Sequence, residues 1–190
     1  MNIKTIKINQ AFQKQLIAAG LLFGMTYFSA IPVYASEINS NNVLNQINEK
    51  RAESNLPKLK QNTDLSNAAS LKAKDMINRS YFEHYAFGLA PWDFMKMSGY
   101  DYLYAGENLA MDFNTSEGIV NAWMSSPAHR ANILDPEFTE TGVGIIKGEY
   151  TENGITHETI MVDNMFGQKR PTILKIFDSI SKNISLILGK

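Results

Sequence analysis

The chain has no cysteine among its 190 residues. That single absence excludes disulfide bridges, thiolate nucleophiles and cysteine-held zinc together. Histidine is scarce too, with His84, His129 and His157 the whole supply. No two of them fall within one helical turn and no H-E-x-x-H occurs, so any imidazole site must gather its members from distant segments. The sequence also lacks a G-x-S-x-G elbow, a phosphate-cradling glycine loop, internal repeats and low-complexity runs. Its Lys and Arg residues are scattered, with no stretch dense enough to track a phosphate backbone, which excludes nucleic acid as a partner.

What is present begins with an address. Residues 1–35 place Lys4, Lys7 and Lys14 ahead of an uncharged apolar run and end with Val33 and Ala35 at the minus-three and minus-one positions. This is the pattern of a secretory signal peptide cleaved after Ala35. An uncleaved anchor is the competing reading, since the run over residues 16–34 approaches the roughly 20 residues that span a bilayer. Beyond it stand 15 basic and 19 acidic residues, a formal charge of -4. A segment of that length suffices for one domain, and without disulfides it must be held by its core.

Residues 36–42 read as a polar linker, and residues 43–167 as the domain. Val43, Leu44, Ile47 and Ala52 recur at helical spacing up to Pro57. A second helix runs through Leu65, Ala68, Ala69, Leu71, Lys72, Ala73, Met76 and Ile77, with Thr63 or Asp64 as its expected cap. An aromatic connection from Ser80 to Gly88 leads to a short helix with Pro91 in its first turn and Gly99 at its end. From Gly106 the expectation is two further helices. In the first, Asn114 and Glu117 have capping-box spacing and Ile119, Val120 and Trp123 face the core; in the second, Ser126 caps, Pro127 is N1 and His129 is N3.

From Thr139 the texture changes to two strands joined at Glu152-Asn153-Gly154, a hairpin signal. Helices followed by strands point to an α+β or three-layer arrangement rather than a doubly wound sheet. Residues 168–190 form a separate tail. There Ile173, Ile176, Phe177, Ile180, Ile184 and Ile187 line one side of an amphipathic helix that could dock on its own domain, pair with another chain or lie on a membrane.

Imidazole and carboxylate are the ligands and acid–base groups left to a cysteine-free site. The candidates are therefore His84, His129, His157, Glu107 and Glu117, and each has a purely structural explanation beside the functional one. Glu117 would close a capping box, His129 would start a helix, His84 would sit among Tyr81, Phe82, Tyr85 and Phe87, and His157 would face solvent near the hairpin.

The segments YFEH, GENLA, NAWMSSPAHRANIL, FTETGVG and the final MFG occur in an order and spacing that resembles the bacterial branch of the CAP superfamily. These SCP-like extracellular proteins are named for cysteine-rich secretory proteins, antigen 5 and pathogenesis-related 1. The resemblance spans about residues 43–167 and implies a three-layer α-β-α sandwich with an open central cavity. It carries cavity roles onto His84, Glu107 and His129, with Glu107 and His129 held on packed helices. Glu117 is carried only as a substitute for a glutamate that eukaryotic members have three positions after the tryptophan, where this chain has Ser126. Many bacterial relatives end on W-T-Q-x-F-G, and Val162-Asp163-Asn164 replaces that rim here.

Three functions compete on these grounds. The favoured one is a secreted or envelope-associated binding module, because the family shares no agreed reaction. Its cavity would hold a divalent metal such as Zn²⁺ on His84, His129 and Glu107, or else a lipid, a small ligand or a cell-envelope component. The second is a metal-dependent hydrolase acting on peptide or cell-wall substrates, with a metal-bound water as nucleophile. The third is a structural or interaction protein of the envelope, in which residues 171–190 contact the membrane periphery.

Overall fold

The sheet sets the frame into which every other element fits. The computed structural model describes residues 37–187; the signal-peptide reading of residues 1–35 lies outside them. Strands β1 (Lys60–Gln61), β2 (Tyr102–Met111), β3 (Glu140–Glu152) and β4 (Ile155–Lys169) form one sheet in the order β1-β3-β4-β2. The expected hairpin is β3–β4. Glu152 pairs with Ile155 across Asn153-Gly154, both at positive φ (53° and 79°), as the tight primed turns that match strand twist require. Strand β2 adds to the far side of β4 in antiparallel register, with Glu107 opposite Met165 and Leu109 opposite Asp163.

Six helices accompany the sheet among the described residues: α1 (Ser40–Glu53), α2 (Thr63–Arg79), α3 (Pro91–Met97), α4 (Ser116–Ser125), α5 (Pro127–Ile133) and α6 (Thr172–Ile187). On one face of the sheet, α2 and α3 bury Leu65, Ala68, Ala69, Phe94 and Met95 with Met165. On the other, α1, α4 and α5 bury Val43, Ile47, Ile119, Val120, Trp123 and Ile133 against Val143, Val162 and Phe166. The result is the three-layer α-β-α sandwich of an α+β chain. The α2 contact is close enough to dictate residue type. A Cβ on Gly142 would lie 2.1 Å from the Ser66 amide nitrogen, and one on Gly144 would lie 2.3 Å from backbone atoms of Ala69 and Ser70.

Several expectations shift by a residue or more. Helix α1 begins at Ser40, inside the stretch read as a linker, because Asn39 caps it by accepting from the Asn42 amide. Asn62, not Thr63 or Asp64, caps α2; its backbone is extended and its side-chain oxygen accepts from the amides of Asp64 and Leu65. Thr115, not Asn114, caps α4 through the Gly118 amide. Glu117 then falls at N2, where its charge suits the helix dipole but cannot close a capping box.

The larger correction concerns residues 106–110. This segment is a strand, not helix, and it is buried throughout. Covered on both faces, it loses the polar–apolar alternation by which a half-exposed strand announces itself.

The tail helix α6 forms as expected. Its Arg170-Asp178 ion pair (2.9 Å) ties the neck to the second turn, while Ile173, Ile176, Phe177, Ile180 and Ile184 are all about half exposed. Among the described residues, no helix is long and apolar enough to cross a membrane.

Candidate functional site

The site gathers at the edge strand β2. Its first component is the loop after α2. Ser80 leaves the helix in the left-handed region (φ 50°), and the chain turns back so that Tyr81 is buried. The Tyr81 hydroxyl donates to Asp75 Oδ2 at 2.6 Å. Lys72, wholly buried on α2, donates from Nζ to the carbonyl of His84 at 2.9 Å and lies 3.4 Å from the Tyr81 hydroxyl. Lys72 thus holds the His84 backbone in place, and its ammonium lies over the rings of Tyr81 and Phe94.

The second component is β2. The His84 ring meets Glu107 through Nδ1 and Oε2 at 2.5 Å. An ionised carboxylate only accepts, so Nδ1–H is the donor, and the tautomer leaves the Nε2 lone pair of the half-exposed ring as the outward group. The Glu107 side chain is 1% exposed where that of His84 is 47% exposed. The carboxylate is therefore structural backing for a histidine that faces solvent.

The third component is α5. Asn132 donates to the Glu107 carbonyl (3.0 Å) and to Asn108 Oδ1 (2.8 Å), and Asn108 donates to the His129 carbonyl (3.0 Å). These bonds clamp α5 to β2 and set His129 beside the edge strand. Burial holds the His129 imidazole below its ordinary pKa, and the charge of His84 adds to the effect, so the rings lie within electrostatic reach of each other. The His84 imidazole moves the other way, raised by its hydrogen bond to Glu107 against the cost of burial.

Beneath His84 lies a second carboxyl. Asp163 on β4 is completely buried on the same sheet face as Glu107, diagonally across the β2–β4 ladder. Neither Asp163 oxygen nor Glu107 Oε1 receives a hydrogen bond from any donor among the described residues. Both carboxyls face the same side of the sheet with buried oxygens that no donor satisfies, and burial favours the protonated form of each. Burial, and then the charge of Glu107, keep Asp163 well above the ordinary carboxyl range. Glu107 is also raised by burial, but the His84 hydrogen bond and the Lys72 ammonium oppose that rise. Of the two carboxyls Asp163 is displaced further toward its neutral form, while Glu107 keeps its hydrogen bond to His84.

The structure brings His84 and Glu107 into contact and sets His129 on α5 beside β2, within the field of the His84 ring. It leaves Glu117 exposed on the first turn of α4. His157 pairs with Asp112 at 3.5 Å and packs edge-on against Tyr150, on the hairpin as expected. Sequence reasoning missed Lys72 and Asp163 as members of the site. The signal for Lys72 was a lysine on the apolar stripe of α2; for Asp163, an aspartate inside an apolar strand run.

The donor set bears on a metal ion. Among the described residues no group of three or more His, Asp or Glu side chains is arranged to hold one. Glu107, expected as a ligand, is turned to His84 Nδ1. The available donors are the two imidazoles, one of them oriented by a carboxylate behind it, which is the arrangement that metal-binding histidines usually have. That pair is fewer than the three protein ligands that even an open zinc site ordinarily has.

Comparison with known proteins gives a consistent picture. The family model described as CAP, cysteine-rich secretory protein family, matches residues 44–163. The chain is 41% identical over 107 residues to the uncharacterized protein YkwD of Bacillus subtilis (strain 168), an alignment covering 55% of this chain and 41% of that protein. An extracellular protein containing an SCP domain from Bacillus anthracis str. Ames superposes with a TM-score of 0.59 at 25% identity, over 68% of this chain and 40% of that one. An outer surface protein from Borrelia burgdorferi superposes with a TM-score of 0.58 at 20% identity, over 72% of this chain and 100% of that one, a likeness of fold. The chain spans about two fifths of the length of the two Bacillus relatives.

Proposed function

Because the chain belongs to the cysteine-rich secretory protein (CAP) family, we propose that it is an exported binding module of the cell envelope. Its site at strand β2 takes a divalent transition-metal ion on His84 and His129, with Zn²⁺ the ion that suits the donors best. The observation that carries this reading is the His84–Glu107 pair at 2.5 Å. A buried carboxylate that fixes one imidazole nitrogen leaves the other with a defined direction and increased basicity, as ligand binding requires. When bound, the ion would supply a Lewis-acidic centre whose open positions accept an external envelope ligand. The chain's own residues do the rest: Glu107 and Lys72 orient His84, and the asparagine clamp orients α5.

Export is supported by the pattern of residues 1–35 and by the extracellular and outer-surface descriptions of the structural relatives. A hydrolase would need a carboxylate free to take a proton from water, and Glu107 is committed to His84. Titration calorimetry with Zn²⁺ at about pH 7.5 and about pH 5.5 tests the reading. Wild type and His157→Ala should bind alike at the higher pH, His84→Ala and His129→Ala should each lose most binding, and the lower pH should weaken it. Equal binding by wild type and both site variants would reject the metal and leave a polar site for an organic ligand.

A further inference from the structure

The tail presents a problem of its own, independent of the β2 site. Helix α6 is 16 residues long and rich in Ile, a residue of only moderate helix propensity. An isolated helix of that length is marginal in water, so its stability must come from covering the apolar face. The domain does not cover it: Ile173, Ile176, Phe177, Ile180 and Ile184 are between 49% and 60% exposed. Something outside the described residues must.

Charge distinguishes the candidates. Residues 170–190, beyond β4, carry Arg170, Lys175, Lys182 and Lys190 against Asp178 alone, a formal charge of +3. Residues 36–169 carry 11 basic and 18 acidic residues, a formal charge of -7. The single acid of the tail is already paired with Arg170 at 2.9 Å. A second copy joined through the stripe would set two such tails side by side. The stripe Ile173, Phe177, Ile180, Ile184 and Ile187 does have the four-three spacing of a coiled-coil seam. It lasts only about two heptads, short of the three to four that sustain such a pairing.

We propose that α6 docks on an anionic lipid surface. The stripe lies in the headgroup–acyl boundary along about 24 Å of helix axis, at 1.5 Å per residue. The basic tail is attracted to the surface, while the acidic domain is repelled from it and stands off, leaving the β2 site in solvent. An apolar face combined with opposite charge at the surface is what makes an interfacial helix bind reversibly rather than insert.

Sedimentation with vesicles tests this on the exported protein, every variant sharing one N-terminus. Vesicles of phosphatidylcholine mixed with phosphatidylglycerol should bind it at least about tenfold more tightly than phosphatidylcholine alone, given the contribution of each basic residue near a charged surface. Raising salt from about 0.1 M to about 0.5 M should remove most of that difference. Phe177→Asp with Ile180→Asp should abolish binding, and Lys175→Glu with Lys182→Glu should abolish the lipid preference. His84→Ala should bind vesicles as wild type does. Absence of wild-type binding, indifference to lipid charge, or undiminished binding by the double aspartate variant would overturn the proposal. A solution dimer that the double aspartate variant converts to monomer would also overturn it, assigning the stripe to a second copy.

Discussion

Asp163→Asn removes a buried acid from the sheet face that carries Glu107 and leaves the side chain's size unchanged. In the wild type, Asp163 is fully buried with no donor to either oxygen among the described residues, so burial favours its neutral form. Its folded pKa lies above its unfolded one. The stability this group contributes is therefore fully present below the unfolded value, near 3.9, and is lost as pH rises toward the folded value. Asparagine is neutral at every pH and so avoids the cost of a buried charge. The variant should match wild type near about pH 4. By about pH 7.5 it should be more stable by about 1–3 kcal/mol, the range for a buried polar group left without a partner. For a domain of this size that is a rise in Tm of roughly 3–10 °C. Differential scanning calorimetry across that pH range is the assay. A variant that melts lower than wild type at neutral pH would refute the reasoning, because it would mean that Asp163 is ionised and paired with Lys72.

Two further predictions concern packing and titration. Gly144→Ala places a methyl 2.3 Å from the α2 backbone, and the helix must move; a loss of about 1–3 kcal/mol or more in urea unfolding is expected, whereas an unchanged midpoint would mean that α2 is not seated on β3 as described. In an NMR pH titration His84 should hold its proton to higher pH than His129, because Glu107 favours the charged ring of His84 while burial disfavours that of His129, and Glu107→Gln should narrow the gap.

Much of the fold was legible because its signals are local. The Asn153-Gly154 turn, the Ser126-Pro127 start of α5 and the periodic stripe of α2 each act within a few residues, and each appears where the sequence puts it. The caps at Asn62 and Thr115 were displaced by one residue, since several neighbouring polar side chains could serve and only backbone geometry decides which one does. Strand β2 was illegible because burial on both faces erases its alternation. The site divides the same way. His84, Glu107 and His129 stand out as scarce chemistry within distinctive segments. Lys72 and Asp163 look like interruptions of apolar patterns, and their role appears only once β2, β4 and α2 are stacked. Glu117 attracted notice through its spacing from Asn114, but the helix starts one residue later and leaves it on the surface.

The central claim is that His84 and His129 form one binding site backed by Glu107. The chain has only three histidines, so long-range nitrogen–proton NMR of the imidazole rings can follow all of them during addition of Zn²⁺. The account predicts that His84, protonated at Nδ1, and His129 shift together and saturate at the same metal ratio, with coordination at His84 Nε2, while His157 stays fixed. Shifts confined to His157, or a His84 ring that coordinates through Nδ1 and releases Glu107, would contradict it.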